Sequence, residues 1–287
     1  MIGALGEFHY NLSMTIKTLT PSLADLQHRY QHLLTQVYDL PHERSRVLTL
    51  CNRQCGWVTP AACAALEGLE GVIVTPDAVH VGWGASPSEA VNALLARIAL
   101  RLDEQGLVKT WRNELLNAIA NTEIIGAIER GAVRPLGLLT QAVHLNAWSP
   151  DGRLWVARRA ANKPTDPNMW DTLVGGLASA FEDLETSLVR ESAEEAGLAP
   201  QHLQCRDPMR TLLRMYRRLP EGYQVEDVLI SDCVLDEGVI PQNQDGEVSE
   251  IRLLSLADWW DMVQSDVFTL EAEMVLIDSV RLRLMQA

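Results

Sequence analysis

"GGLASAFEDLETSLVRESAEEAGL" (residues 175–198) carries six carboxylates between two glycine-containing ends. If residues 183–196 form one helix that turns by about 100° per residue, Glu191, Glu194 and Glu195 share one sector of its surface. Three like charges on one stripe repel one another, and a divalent cation would remove that penalty. The charge pattern alone leaves two interpretations equally open, a metal site and a solvated helix face, because acidic residues also favour any helix start.

The spacing within this stretch separates the two interpretations. Gly176 is followed after five residues by Glu182, after seven more by Arg190-Glu191, after two more by Glu194-Glu195, and after one more by Gly197-Leu198. This pattern resembles the Nudix box, and all eight positions that the family fixes across these 23 residues are matched. Ser192 stands where the family usually carries an aliphatic residue. Because Ser192 lies in the packing sector of the helix, we expect it to affect helix–sheet contact rather than metal binding.

The resemblance implies a hydrolase in which water attacks phosphorus in a diphosphate linked to another moiety. The implied metal ligands are Glu191, Glu194, Glu195 and the carbonyl of Gly176. Hard oxygen ligands suit Mg²⁺, with Mn²⁺ as the alternative. Such ions neutralise diphosphate charge and lower the pKa of a bound water. Glu182 and Arg190 are implied as a pair that braces the loop against the helix.

A general base often lies outside the box in this family. "NQDGEVSEIRLLSLADW" (243–259) resembles the late strand-and-helix segment of Nudix proteins, so Glu247 and Glu250 are candidates. Glu194 or Glu195 could serve instead, and an acid on an edge strand in water is an equally open interpretation of either later residue. The catalytic candidates are therefore Arg190, Glu194, Glu195, Glu247 and Glu250.

Three further stretches extend the resemblance to roughly residues 45–285. They are "ERGAVRPLGLLTQAVHLNAW" (129–148), "LWVARRAANKPTDPNMWDTLVGGLA" (154–178) and "YRRLPEGYQVEDVLISDCVL" (216–235). They resemble one Nudix subfamily that has an N-terminal domain of unknown function and is related to thiamine-pyrophosphokinase-associated proteins. This resemblance implies thiamine diphosphate or its oxidised analogues as the substrate, giving the monophosphate and phosphate.

Other activities remain open at this point. The first alternative is a Nudix pyrophosphohydrolase of a nucleoside diphosphate derivative such as ADP-ribose, NADH or a nucleotide sugar. A diphosphate-isoprenoid isomerase would need a cysteine motif, which the contexts of Cys205 and Cys233 do not supply. A non-catalytic ligand sensor usually loses box carboxylates, and this sequence retains them all.

Candidate substrate-binding residues precede the box. Arg158, Arg159 and Lys163 could hold phosphate oxygens, and Trp170 could stack on a heteroaromatic ring. Surface arginines and a core tryptophan are the alternative interpretations. For His144, within an alternating strand, we favour a satisfied hydrogen bond over catalysis.

Composition limits the class of partner and compartment. A net charge of −14 argues against general nucleic-acid binding. No apolar run reaches the ~18 residues of a membrane span. Five scattered cysteines favour free thiols in a reducing cytoplasm over structural zinc or disulfides. We expect a small-molecule diphosphate as partner, no nucleic acid and no membrane, and leave a homodimer open.

The element pattern predicts an α+β protein. The sequence predicts a β-hairpin at residues 137–160, with its turn at Ser149–Gly152. Further strands are predicted at 209–216, 225–235 and 247–254, and two helices at the end of the chain. Helices are also predicted at 21–40 and 86–107, the latter capped by Ser86. We expect an N-terminal extension (1–20), a small α+β domain (21–125) and a Nudix α/β/α sandwich with a mixed sheet (126–287), with the box at 176–198.

Overall fold

The computed structural model describes residues 20–84 and 89–286. Residues 1–19 of the expected extension and the Ser86 cap lie outside these ranges. The helices are α1 (Leu23–Leu34), α2 (Pro60–Leu66), α3 (Glu89–Glu104), α4 (Val133–Leu136), α5 (Leu184–Ala196), α6 (Leu256–Gln264) and α7 (Leu270–Gln286). The first six strands are β1 (Arg46–Leu50), β2 (Arg53–Val58), β3 (Val72–Val74), β4 (Ala78–Val81), β5 (Leu115–Ala120) and β6 (Glu123–Glu129). The remaining strands are β7 (Leu139–Trp148), β8 (Leu154–Arg159), β9 (Trp170–Thr172), β10 (Val174–Leu177), β11 (Arg210–Leu219), β12 (Gly222–Val234) and β13 (Val248–Leu254).

A seven-stranded mixed sheet forms the centre of the C-terminal part. Its main path runs β11-β12-β7-β8-β13, with β10 paired to β7 and β9 paired to β8. Strands β12 and β7 are parallel, and the other pairs are antiparallel. Because side chains alternate along a strand, the sheet has two apolar faces. One face packs on α5 and the other on α1, α6 and α7. The predicted α/β/α sandwich with a mixed sheet is confirmed.

The predicted small α+β region is also present. Strands β2-β1-β4-β3 form a second sheet, and β5 and β6 form a hairpin beside it. Helices α2 and α3 share one hydrophobic core with both. Thr59 caps α2 by accepting a hydrogen bond from the Ala62 amide, and Pro60 occupies its first turn.

The packing places the ends of this N-terminal unit differently from the expected division at 125/126. That division falls inside β6, and Leu136 and Leu138 beyond it still belong to the first core. Helix α1 instead packs on α7, where Leu26 and Leu33 are buried in the second core. An amphipathic helix can cover any apolar face, so the sequence position of α1 did not indicate which core it joins.

No helix within residues 20–84 and 89–286 combines the length and the apolar character needed to cross a membrane.

Candidate active site

Helix α5 is fixed to the sheet by its apolar face and by its ends. Asp183 Oδ1 accepts a hydrogen bond of 2.8 Å from the Thr186 amide at the N-terminus. Leu188 and Ala196 are buried in the core under the sheet. Ser192 is also buried, and its hydroxyl donates to the Leu188 carbonyl at 2.7 Å. The unusual serine is therefore accommodated because its polar group bonds within the helix.

Arg190 connects the loop before α5 to the carboxylates on the helix. Its Nε lies 3.1 Å from Glu182 Oε1 and its Nη2 lies 3.0 Å from Glu182 Oε2. Its Nη1 donates to Glu191 at 2.9 Å and to Glu194 at 3.0 Å. Bidentate contact of this kind fixes orientation as well as adding energy, and it lowers the pKa of Glu182. The structure thus brings the predicted brace together.

The two glycines of β10 approach the helix carboxylates closely. A Cβ added to Gly176 would lie 2.3–2.6 Å from the carboxylate atoms of Glu191, so only glycine leaves room for this contact. The Gly175 amide donates to Glu195 Oε2 at 2.9 Å. Gly176 lies within β10, and glycine is required there for steric reasons.

Because the carboxyl groups of Glu191 and Glu195 are buried, an unpaired negative charge on either of them is unfavourable. Desolvation raises the pKa of Glu191, and it raises the pKa of Glu195 to about 8. The Lys163 ammonium stands 3.8 Å from Glu195 Oε1, and burial lowers the pKa of that lysine. The site therefore lacks a fully compensating positive charge when both glutamates are ionised.

The donor set fits a hard divalent cation. Glu191, Glu194 and Glu195 offer carboxylate oxygens, and the Gly176 cradle keeps backbone and carboxylate close together. In the part of the chain that the structure describes, no three His, Cys, Asp or Glu side chains already converge as a preformed metal site. Arg190 holds Glu191 and Glu194, so a cation has to take over these contacts as it binds.

Lys163 and Glu247 extend the site on the side of Glu195. Lys163 Nζ bonds to the Glu247 carboxylate, and the Ala160 amide donates to the Glu247 carbonyl at 2.9 Å. Both side chains line a small cavity together with Glu195 and Gly175. Glu247 therefore lies within reach of the box carboxylates.

The two arginine candidates take different positions. Arg159 and Arg158 are neighbours on β8 and so point to opposite faces. Arg159 lines the cavity and bonds to Asp171 at 2.9 Å, whereas Arg158 Nε donates to the Asn168 carbonyl.

Trp170 and Glu250 do not line the cavities around the box. Trp170 is buried in the second core, with the Arg252 guanidinium 4.8 Å from its ring centroid. Glu250 pairs with Arg252 at the rim of β13. Arg158 and Trp170 therefore do not line the cavity in which substrate was expected, and Glu250, unlike Glu247, does not line the small cavity beside Glu195.

Comparison with known proteins finds a family that this part of the chain resembles. A family model described as the NUDIX domain matches residues 138–270. Because these residues are similar to that family, they are called the NUDIX domain here. The range contains the sheet centre, the box and helix α5.

Relatives extend the similarity beyond the NUDIX domain. Nudix hydrolase 24, chloroplastic, of Arabidopsis thaliana is 32% identical over 200 residues, covering 67% of this chain and 54% of that protein. Nudix hydrolase 20, chloroplastic, of the same species is 29% identical over 199 residues, covering 67% and 52%. The crystal structure of DR0079 from Deinococcus radiodurans has 22% identity and a TM-score of 0.39, covering 54% of this chain and 90% of that one. The chain spans about half the length of the curated relatives it matches. A cytoplasmic location and a homodimer stay predictions.

A cavity of about 360 Å³ lies between the NUDIX domain and the N-terminal unit. Gly175, Gly176 and Arg159 line it from the NUDIX domain. Lys109, Arg130 and Arg134 line it from the N-terminal unit, and none of these three was identified from the sequence. Their only sequence signal is positive charge in an acidic chain, which does not reveal a shared location. The N-terminal unit therefore forms part of the cavity wall.

Proposed function

We propose that this chain is a Mg²⁺- or Mn²⁺-dependent Nudix hydrolase that cleaves a diphosphate linkage by attack of water on phosphorus. One observation carries the proposal. The carboxylates of Glu191 and Glu195 are held against Gly176 and Gly175 at the wall of a cavity that is also lined by basic residues. The carboxylates complement the charge of a cation, and the basic residues complement the charge of a diphosphate. The hydrolase names of the relatives support the same class of reaction.

Each residue of the site has a part in this reaction. Glu191, Glu194, Glu195 and the Gly176 carbonyl would hold the cation. When bound, the cation neutralises diphosphate charge and makes a water more acidic. Arg190 keeps Glu191 and Glu194 oriented through its bonds to both, and Glu182 keeps Arg190 in place. These last two are positioning residues.

The proton of the attacking water needs an acceptor. Among the residues outside the box, Glu247 is placed best, because it lines the small cavity next to Glu195. Its partner Lys163 is half-buried beside Glu247, so the ammonium can exchange that carboxylate for a phosphate oxygen. Arg159 from the NUDIX domain and Lys109 from the N-terminal unit both line the larger cavity and can hold the remaining phosphate oxygens.

We propose thiamine diphosphate or one of its oxidised analogues as the substrate, with the monophosphate and phosphate as products. The resemblance of residues 129–148, 154–178 and 216–235 to the thiamine-associated subfamily supports this choice. The cavity volume of about 360 Å³ is within the range for sites that bind small molecules.

Phosphate release across a substrate panel tests the proposal. The panel contains thiamine diphosphate, its oxo form, ADP-ribose and NADH, each with and without Mg²⁺; nucleotide products are followed by chromatography. We expect Mg²⁺-dependent turnover, with the highest kcat/KM for a thiamine compound. Preference for ADP-ribose or NADH would overturn the substrate assignment, and no turnover on any compound would overturn the hydrolase.

A further inference from the structure

The cavity beside the box contains a group of polar side chains that the hydrolytic chemistry does not use. Gln224 and Glu226 come from β12, Glu271 from the first turn of α7, and His144 from β7. All four line the cavity that Gly175 and Gly176 also line. Gln224 and His144 are each only 4% exposed. Buried polar groups of this kind need hydrogen-bond partners.

The amide of Gln224 is fixed in one orientation. Its Nε2 donates to Glu226 Oε1 at 2.9 Å and to Glu271 Oε1 at 3.0 Å. An amide nitrogen has two hydrogens, so both are used. Turning the amide over would place its oxygen against two carboxyl groups. The Gln224 Oε1 atom is therefore a fixed acceptor, and among the described residues it has no hydrogen-bond partner.

The ring of His144 is fixed as a second acceptor. Its Nδ1 lies 3.1 Å from Thr172 Oγ1, whose hydroxyl has the Val174 carbonyl at 2.8 Å and Asp171 Oδ1 at 3.5 Å as acceptors. With the hydroxyl hydrogen directed to one of these oxygens, Nδ1 carries the hydrogen of its contact with Thr172, and Nε2 keeps a lone pair. Burial lowers the pKa of His144 and keeps the ring neutral. Within residues 20–84 and 89–286, Nε2 has no partner either.

The carboxyl groups of Glu226 and Glu271 also belong to this wall. Burial, and then the neighbouring Glu271, raise the pKa of Glu226 to about 8. Near neutral pH the Glu226 carboxyl therefore keeps its proton. Thr140 donates to Glu226 Oε2 at 2.6 Å, so hydrogen bonds hold this carboxyl in place.

We propose that Gln224, His144 and the Glu226–Glu271 pair form the subsite for the organic half of the substrate, and that they accept hydrogen bonds from a nitrogen heterocycle with N–H or amino groups. This inference rests on the proposed function and specifies how its substrate is recognised. Fixed acceptors select a ligand that carries donors, because a ligand without donors leaves them buried and unpaired. The diphosphate then lies toward the box glycines and the basic residues.

Separate halves of the substrate test the subsite without turnover. Calorimetry measures the binding of thiamine and of adenosine, two amino heterocycles without phosphate, and of methylenediphosphonate with Mg²⁺, which has no ring. We expect the wild-type protein to bind at least one of the two heterocycles. Gln224→Leu should weaken that binding at least about tenfold, as expected for one lost buried hydrogen bond, and change methylenediphosphonate binding less than about twofold.

A second variant guards against misfolding of the first. Glu271→Gln keeps the shape of the side chain, but its amide can donate as well as accept and so no longer fixes the orientation of the Gln224 amide. We therefore expect the same selective loss of heterocycle binding. Glu237→Gln, an exposed surface change, is the matched control and should leave both ligands unaffected. Thermal unfolding checks that each variant is folded.

The outcomes separate the two proposals. If wild-type protein binds neither heterocycle, or if folded Glu271→Gln and Gln224→Leu both retain heterocycle binding within about twofold, the subsite proposal is overturned. If heterocycle binding shows the expected losses but no diphosphate is hydrolysed, the proposed function fails while the subsite stands.

Discussion

Gly176 is the residue at which a single methyl group should change the chemistry most. Its added Cβ would meet the Glu191 carboxylate, the mobile end of a side chain, so the protein can adapt by moving that carboxylate. We therefore expect Gly176→Ala to fold with a nearly unchanged Tm but to lose about 10²-fold in kcat, the scale of a 1 Å displacement of a catalytic group.

The measurement pairs kcat with thermal unfolding of the same preparation. A variant whose kcat stays within about threefold of wild type would show that the position of Glu191 against Gly176 is not needed for the reaction.

Residues inside the box could be assigned from the sequence because their spacing is local. The carboxylates, Arg190 and Gly176 lie on one strand–loop–helix unit, so one motif relates all of them. Arg158 and Arg159 are residues whose roles could not be assigned from local spacing. Alternation on β8 sends them to opposite faces, and the sequence alone does not indicate which face lies over the cavity.

On helix α5, the like charges of Glu191, Glu194 and Glu195 repel one another, and a bound cation should reduce this repulsion. Glu195 has its pKa raised to about 8, so near neutral pH a bound cation has to displace a proton. A raised carboxyl pKa means that stability is lost as pH rises from the unfolded value toward the folded one. Mg²⁺ should restore it, because the cation pairs with the ionised form.

This linkage predicts a pH-dependent effect of Mg²⁺ on thermal unfolding. We expect Mg²⁺ to raise Tm more at about pH 8 than at about pH 6, because less proton displacement is needed at the higher pH. Glu195→Gln has no proton to displace at this position and should lose most of the difference. An equal shift at both pH values in wild type would contradict the assignment of Glu195 as a ligand.

Elements with strong local signals were predictable, and elements that depend on distant partners were not. The hairpin of β7 and β8 follows its Ser149–Gly152 turn, and α5 follows its cap and box. Helix α2 was not predicted, because seven residues rich in alanine are too few to show a period. Strands β5 and β6 were not predicted either. Their hairpin packs on α3 and belongs to a core assembled from the whole N-terminal unit.

On the scale of the whole molecule, the N-terminal unit completes the cavity wall. Arg134 bonds to Glu221 at the turn between β11 and β12, so the two parts of the chain are joined next to the cavity. Lys109 is exposed at the same cavity. These contributions come from remote segments, and no pattern in the sequence relates them to the box.

This arrangement predicts a role for Lys109 in substrate binding. We expect Lys109→Ala to raise KM for the diphosphate substrate about five- to tenfold with kcat nearly unchanged, because the residue holds phosphate in ground and transition states alike. Arg97→Ala on the exposed face of α3 is the matched control. Unchanged KM in Lys109→Ala would mean that the N-terminal unit does not contact the diphosphate.

The central claim is that Glu191 and Glu195 form a metal-dependent diphosphate hydrolase site. The most direct test compares kcat for Mg²⁺-dependent phosphate release from the preferred substrate in wild type, Glu195→Gln and Glu185→Gln. Glu195→Gln can still accept the Gly175 hydrogen bond but lacks the charge, so a loss of at least about 100-fold is predicted. Glu185, exposed on the same helix and paired with Arg206, should tolerate the change. A loss below about threefold in a folded Glu195→Gln variant would contradict the account.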